Sequence, residues 1–198
     1  MAQSCAERGY EATTPTEIAA AAGCSLQDFS RYFASKDECA LAAVEWILSE
    51  SLAGVGKAWA PDRSEWESVL SALSALLELF AARPPFARLA LIESRQGMDA
   101  VALQRYESGI GILTAMLDRL REGSDISIPP GASRAAIGGG EALVRQELAW
   151  GRGKRLPEAL PALVYTATVP FLGQREALRL TQAARRTLAG QRASENRV

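Results

Sequence analysis

GYEATTPTEIAAAAGCSLQDFSRYFASKDE, residues 9–38, reads as two short helices joined by a glycine turn and running into a third. Gly23 sits where the chain must reverse between crossing helices, and glycine takes a positive φ there without steric cost. Ala19, four residues earlier, is small enough for two helices to cross above it. Ile18, Ala22, Cys24, Phe29 and Tyr32 fall at positions expected to bury if the helices pack at a steep angle. A second helix held out in this way has one familiar use, lying in the major groove of DNA.

Each helix start in this stretch carries its own cap. Thr14-Pro-Thr-Glu17 places a hydroxyl at the N-cap, proline at the first helical position and a carboxylate at the third. Ser25 with Asp28 and Ser35 with Glu38 repeat the hydroxyl and acid. Such pairings satisfy amide donors that the first turn of a helix leaves without partners. One box is weak evidence, whereas three at this spacing around a glycine turn are strong.

The stretch resembles the DNA-binding domain of TetR/AcrR-type bacterial transcriptional repressors. The resemblance is carried by Gly9-Tyr10, Thr13-Thr14, Ile18-Ala19, Ala22-Gly23-Cys24-Ser25, Phe29, Phe33 and Lys36. It covers about the first quarter of the chain, with a looser likeness of residues 160–173 to the carboxy-terminal helices of some members. It implies DNA contacts from Thr14, Thr16, Ser25, Leu26, Gln27, Asp28, Ser30, Arg31, Tyr32 and Lys36. Gln27 can pair with an adenine edge, and Arg31 and Tyr32 can reach phosphates. Lys36, at a helix start, stands where the family meets a backbone phosphate. Two positions depart from the pattern: the family usually has tyrosine where Ser30 stands, and a small or hydroxyl residue where Asp28 stands.

Composition narrows the alternatives. The chain has 198 residues, 48% of them hydrophobic and 23% charged, an ordinary globular balance. Histidine is absent, which excludes Ser-His-Asp and Cys-His catalysis and His-ligated zinc. Cys5, Cys24 and Cys39 lack metal-ligand spacing and suit free thiols in a reducing cytoplasm. Gly138-Gly139-Gly140 lacks the spacing and lysine of a phosphate loop. We expect no cofactor, no metal, no enzyme activity and no membrane span, since no apolar run approaches about 20 residues. Charge argues the other way: the net charge is −1, and in the first sixty residues Arg8, Arg31, Lys36 and Lys57 face eight acids. DNA-binding domains are usually basic, because displaced counterions drive affinity. Residues 2–8 give a first helix of only about two turns, and we expect the natural start to lie upstream of Met1 and to add basic residues.

The fold class expected is all-α, with an amino-terminal helix-turn-helix domain over residues 1–50. A larger helical effector-binding and dimerisation domain over 51–190 and a disordered tail over 191–198 would complete it. Helices are expected over residues 36–55, 64–82, 86–94, 99–121, 132–150, 157–172 and 174–189, with breaks at 54–62, at Pro84-Pro85 and at 123–131. The boundary near residue 50 falls inside the fourth helix, as a signal relay requires.

Candidates for lining an effector pocket are Trp59, Trp66, Phe86, Met98, Tyr106, Ile110, Leu113, Met116, Leu117 and Trp150. Glu93 and Arg145 are candidates for orienting a polar group. Ala135, Gly138, Gly139, Leu143, Leu163, Val164, Ala167, Phe171 and Leu172 are candidates for a dimer interface built as a four-helix bundle. The reading is a homodimeric regulator on near-palindromic operator DNA, released by a small apolar or amphipathic effector. The alternative is a helical small-molecule-binding or interaction protein that has lost DNA binding. An enzyme using Glu93 and Arg95 is a third, remote option.

Overall fold

A computed structural model describes residues 1–59, 63–96, 100–121 and 128–195, and those residues contain helices and connections but no strand. Short helices α1 (Ala2–Arg8), α2 (Pro15–Ala21) and α3 (Leu26–Tyr32) form a head. Helix α4 (Lys36–Ala58) runs from the head into a body. The body holds α5 (Glu65–Ala82), α6 (Pro84–Arg88), a π-helical turn (Leu89–Glu93), α7 (Ser94–Gln96), α8 (Ala100–Arg121) and α9 (Ala132–Ala149). A 3-10 helix (Gly153–Ala159) leads into α10 (Leu160–Glu195), which breaks at Gly173 with φ 71° and ψ 171°.

Most boundaries follow from local chemistry. Thr14 accepts from the Glu17 amide while the Glu17 carboxylate accepts from the Thr14 amide, and Ser64 and Glu67 do the same at α5. Reciprocity fails at the two boxes between them. Asp28 is too short to reach back, so its carboxylate accepts from the Ser25 hydroxyl instead, at 2.6 Å. Glu38 overshoots and accepts from the Ala34 amide at 2.6 Å. After α5 the helix direction swings by 107° at Arg83, where Pro84 and Pro85 follow and open the next helix.

Four expectations need correction. Helix α4 passes through Gly54 and Gly56 to Ala58, because its apolar stripe continues under α5 and α8. It is also long and apolar enough, by composition, to meet the length of a membrane span. It has both head and body packed on it and carries Glu45 and Glu50 on its exposed side. The segment after Pro84-Pro85 begins at Pro84 itself, since proline suits a first helical turn. The apolar helix expected from residue 157 starts at Leu160, with Pro157 held in the 3-10 turn. The expected loop at 123–131 falls mostly, and the expected tail partly, outside the described residues; α10 continues to Glu195.

The main core joins Ile47 of α4, Leu77 and Phe80 of α5, Tyr106 and Ile110 of α8, Val144 and Leu148 of α9, and Leu160, Val164 and Leu180 of α10. The head docks on this body through a separate cluster of Ala2, Cys5, Tyr10, Ala40, Val44 and Leu89.

Candidate functional site

The turn between α2 and α3 closes as a Schellman motif. Gly23 takes φ 69°, its amide donates to the Ala20 carbonyl at 3.1 Å, and the Cys24 amide donates to the Ala19 carbonyl at 3.0 Å. Ile18 and Ala19 pack against Phe29 and Cys39, with Phe33 alongside. Ala22, Cys24 and Tyr32, expected in this core, are exposed instead, Tyr32 by 78%. Each helix has seven residues, too few for a second buried turn. Phe33, four residues after Phe29, takes the inward place that Tyr32 at three residues misses.

Helix α3 therefore turns Leu26, Gln27, Ser30, Arg31 and Tyr32 outward on one short surface. Ser25 caps the helix by accepting from the Asp28 amide at 3.0 Å. Ser30 donates to the Leu26 carbonyl at 2.9 Å, and Thr16 is exposed beside the start of α2. The cations near this surface already have partners. Arg31 meets Asp28 at 3.3 Å, and Arg8 pairs with Glu17. The Lys36 ammonium lies 4.5 Å above the centre of the Tyr10 ring and donates to the Tyr10 and Glu11 carbonyls at 3.1 and 3.2 Å. Tyr10 in turn donates to Asp37. Lys36 thus ties the loop before α2 to the start of α4, a task that its sequence position does not announce.

The body contains an apolar cavity of about 120 Å³ between α4, α5, α8, α9 and α10. Tyr106, Ile110 and Leu113 from the expected set line it, together with Leu48, Ser51, Leu52 and Val55 of α4. A smaller one of about 70 Å³ shares the walls Val55, Leu73, Leu76, Leu113, Ile137 and Ala167, and is rimmed by Trp59, Met116 and Leu117. The other pocket candidates lie elsewhere. Trp66 packs on Phe171, with ring centres 5.7 Å apart. Phe86 meets Trp46 edge-on at 4.9 Å. Trp150 is 56% exposed, with Arg152 stacked over it at 4.0 Å. Met98 lies outside the described residues. Glu93 is buried away from the cavity, where it accepts from the Tyr10 amide at 3.2 Å and pairs with Arg88 at 3.2 Å.

Glu141 is the residue that sequence reasoning missed. It follows three glycines on α9 and faces the cavity, with its side chain 8% exposed. Arg145, one turn later, approaches it at 3.2 Å, and Arg95 at 3.7 Å. The i, i+4 spacing of Glu141 and Arg145 on an apolar helix was the available signal. Both arginines stand on an outer cleft with Leu91 and Ile92, so Arg145 reaches the cavity only through Glu141. Burial, and then the facing Glu141 carboxylate, push the Tyr106 hydroxyl well above the usual phenol range.

Of the interface candidates, Leu163, Val164, Ala167 and Phe171 are buried within the chain itself, because the first arm of α10 is sandwiched under α9 and α5. Gly138, Leu143 and Leu172 are half-buried, and Ala135 and Gly139 are exposed.

Residues 2–43 match the family model of bacterial regulatory proteins, tetR family. Among solved structures, the fatty acid degradation regulator FadR from Bacillus halodurans is similar with a TM-score of 0.70 and 16% identity, over 88% of this chain and 92% of that one. The TetR family transcriptional regulator PfmR from Thermus thermophilus gives 0.67 and 21%, over 88% and 92%. SCO3833, a TetR-family member from Streptomyces coelicolor, gives 0.61 and 24%, over 88% of each chain. At these identities the likeness is one of fold. No curated protein sequence matches the chain.

Proposed function

We propose that this chain, whose residues 2–43 match the tetR-family model and whose fold is shared with TetR-family regulators, is a DNA-binding regulator of that kind rather than an enzyme and works as a ligand-responsive, homodimeric repressor. Residues 1–50 would read DNA, and residues 51–190 would bind effector and dimerise. Each head would occupy one half-site of a near-palindromic operator, the two reading helices about 34–36 Å apart. Gln27 would read a base edge. Thr14, Thr16, Ser25, Arg31 and Tyr32 would hold the backbone. Lys36 has three donors, two of them used on carbonyls, and the third would serve a phosphate. Exposed small residues of α9, Ala135 and Gly139 among them, would face the partner subunit. Regulation of this kind would take place in the cytoplasm.

One observation carries the reading: α4 belongs to both ends. Cys39, Ala40 and Val44 pack in the head, while Leu48, Ser51, Leu52 and Val55 line the cavity. At 1.5 Å per residue, about 24 Å of straight helix joins Cys39 to Val55. An effector that moves the cavity wall therefore moves the head. It shifts the equilibrium only by its differential affinity for the two arrangements.

A second reading is a ligand-binding protein whose head no longer grips DNA. It is favoured by the internal pairing of Arg8 and Arg31 and by the acidic head. Fluorescence anisotropy with DNA flanking the chain's own gene, against a scrambled duplex at a series of salt concentrations, separates the two. Selective binding that weakens steeply with salt is the expected result; weak binding that ignores both sequence and salt would shift the assignment to the second reading.

A further inference from the structure

The cavity has one polar corner, and its chemistry specifies what can fill it. Tyr106 is 1% exposed, and its buried hydroxyl lies against the Glu141 carboxylate and near Arg95 without a hydrogen bond of good geometry. The Glu141 Oε1 atom is also buried and accepts no hydrogen bond of good geometry, although it is ion-paired with Arg145 Nε at 3.2 Å and with Arg95 at 3.7 Å. Buried polar groups left in this way cost free energy that a bound partner recovers. Apart from Ser51, whose hydroxyl donates to the Ile47 carbonyl at 2.7 Å, the remaining surface is hydrocarbon, and the walls shared with the smaller cavity extend the space toward Trp59, which is 37% exposed.

Resting on the ligand-responsive reading above, we propose that this cavity binds a neutral alcohol or phenol with a hydrocarbon body, its hydroxyl accepting from Tyr106 and donating to Glu141. A hydroxyl is both donor and acceptor, so one group answers both orphans. A fatty carboxylate would bring a second negative charge against Glu141 where the dielectric is low. The guanidiniums of Arg95 and Arg145 lie behind Glu141 on the outer cleft and do not line the cavity, so they offset this repulsion without replacing the hydration that the ion loses. An alkylamine would satisfy Glu141 but leave Tyr106 without an acceptor partner, and it would face the same two guanidiniums.

Calorimetric titration of the full chain with n-octanol, n-octylamine and octanoate, in the absence of DNA, tests the proposal. Octanol is expected to bind about tenfold or more tighter than either ion. Tyr106→Phe and Glu141→Gln should each weaken octanol about tenfold, and Glu141→Gln should also narrow the gap to octanoate. Tyr106→Phe removes a single oxygen and keeps the ring in the core, so it decides the matter even if Glu141→Gln fails to fold. Octanoate binding as tightly as octanol, no octanol binding up to its solubility, or an unchanged octanol affinity in Tyr106→Phe would each overturn the assignment. The regulatory reading is scored separately. Octanol bound without release of operator DNA supports the cavity assignment and counts against the regulator; release by octanoate in place of octanol does the reverse.

Discussion

Asp28 sets the charge of the reading surface at the scale of one side chain. It stands beside Gln27, holds Arg31 at 3.3 Å, and accepts from the Ser25 hydroxyl. The cap on α3 does not need its carboxylate, since Ser25 accepts from the Asp28 amide. Asp28→Asn should therefore keep the helix, free Arg31 for a phosphate and remove one negative charge from the interface. We expect operator affinity to rise about three- to tenfold at ~0.1 M salt, with a steeper salt dependence. Anisotropy titrations of both proteins at several salt concentrations check this, and an affinity that falls would mean that Asp28 reads a cytosine. The three thiols make a second residue-scale test. Burial raises the Cys5 and Cys39 thiols above the ordinary range, while Cys24 is exposed on the turn. A disulfide reagent at neutral pH should modify one thiol per native chain, at Cys24, and all three only after denaturation. Fast labelling of Cys5 would show that the head opens readily from the body.

At the scale of the element, the α2–α3 turn depends on Gly23. A Cβ there would touch nothing within 4 Å, so the whole cost of Gly23→Ala lies in the backbone at φ 69°. That cost is about 1–2 kcal/mol, visible as a lower Tm together with weaker operator binding. Acid should loosen the capped starts of α2 and α5. Hydrogen bonds from the Thr14 amide and hydroxyl hold Glu17 below the usual carboxylate range, and Ser64 does the same for Glu67. A depressed carboxylate contributes stability that is present above its unfolded pKa and is lost as pH falls through the folded value. Between about pH 5 and pH 3, Glu17→Gln with Glu67→Gln should flatten the fall in stability measured by urea unfolding. An unaltered slope would show that these caps carry no pH dependence. The caps and the glycine turn were legible because their chemistry is confined to three or four neighbouring residues. Tyr32 and Phe33 were not, because in a seven-residue helix one position of phase decides which ring goes inside. The cavity was less legible still. Helix phase marks Trp66, Leu113 and Tyr106 alike as apolar-facing, and only tertiary packing sends Trp66 to Phe171 and leaves space beside Tyr106.

At the scale of the whole molecule, head and body also meet where α1 packs on α6 and on the π-helical turn, and Glu93 is the most telling contact there. The π-helical turn Leu89–Glu93 is buried throughout, and it carries this carboxylate to the Tyr10 amide at the base of the head. Lys36 and Asp37 hold Tyr10 from the other side. Glu93 looked like a ligand group in the sequence because a carboxylate among Leu, Ile and Ala invites that reading; its partners make it a clasp between the two halves. Glu93→Ala would strand a buried amide and leave Arg88 without its ion-pair partner, a loss of about 2–4 kcal/mol. Glu93→Gln would retain an acceptor for the Tyr10 amide and give up only the ion pair, so it should fall between alanine and the native residue. If the clasp also transmits the effector signal, the two measurements part company. Thermal unfolding of Glu93→Ala should proceed in two steps, with the head melting first, and effector should still bind the body while releasing operator DNA less completely. A Tm for Glu93→Ala equal to that of the native chain would reduce Glu93 to a buried polar residue without a coupling role, and α4 would then have to carry the signal alone.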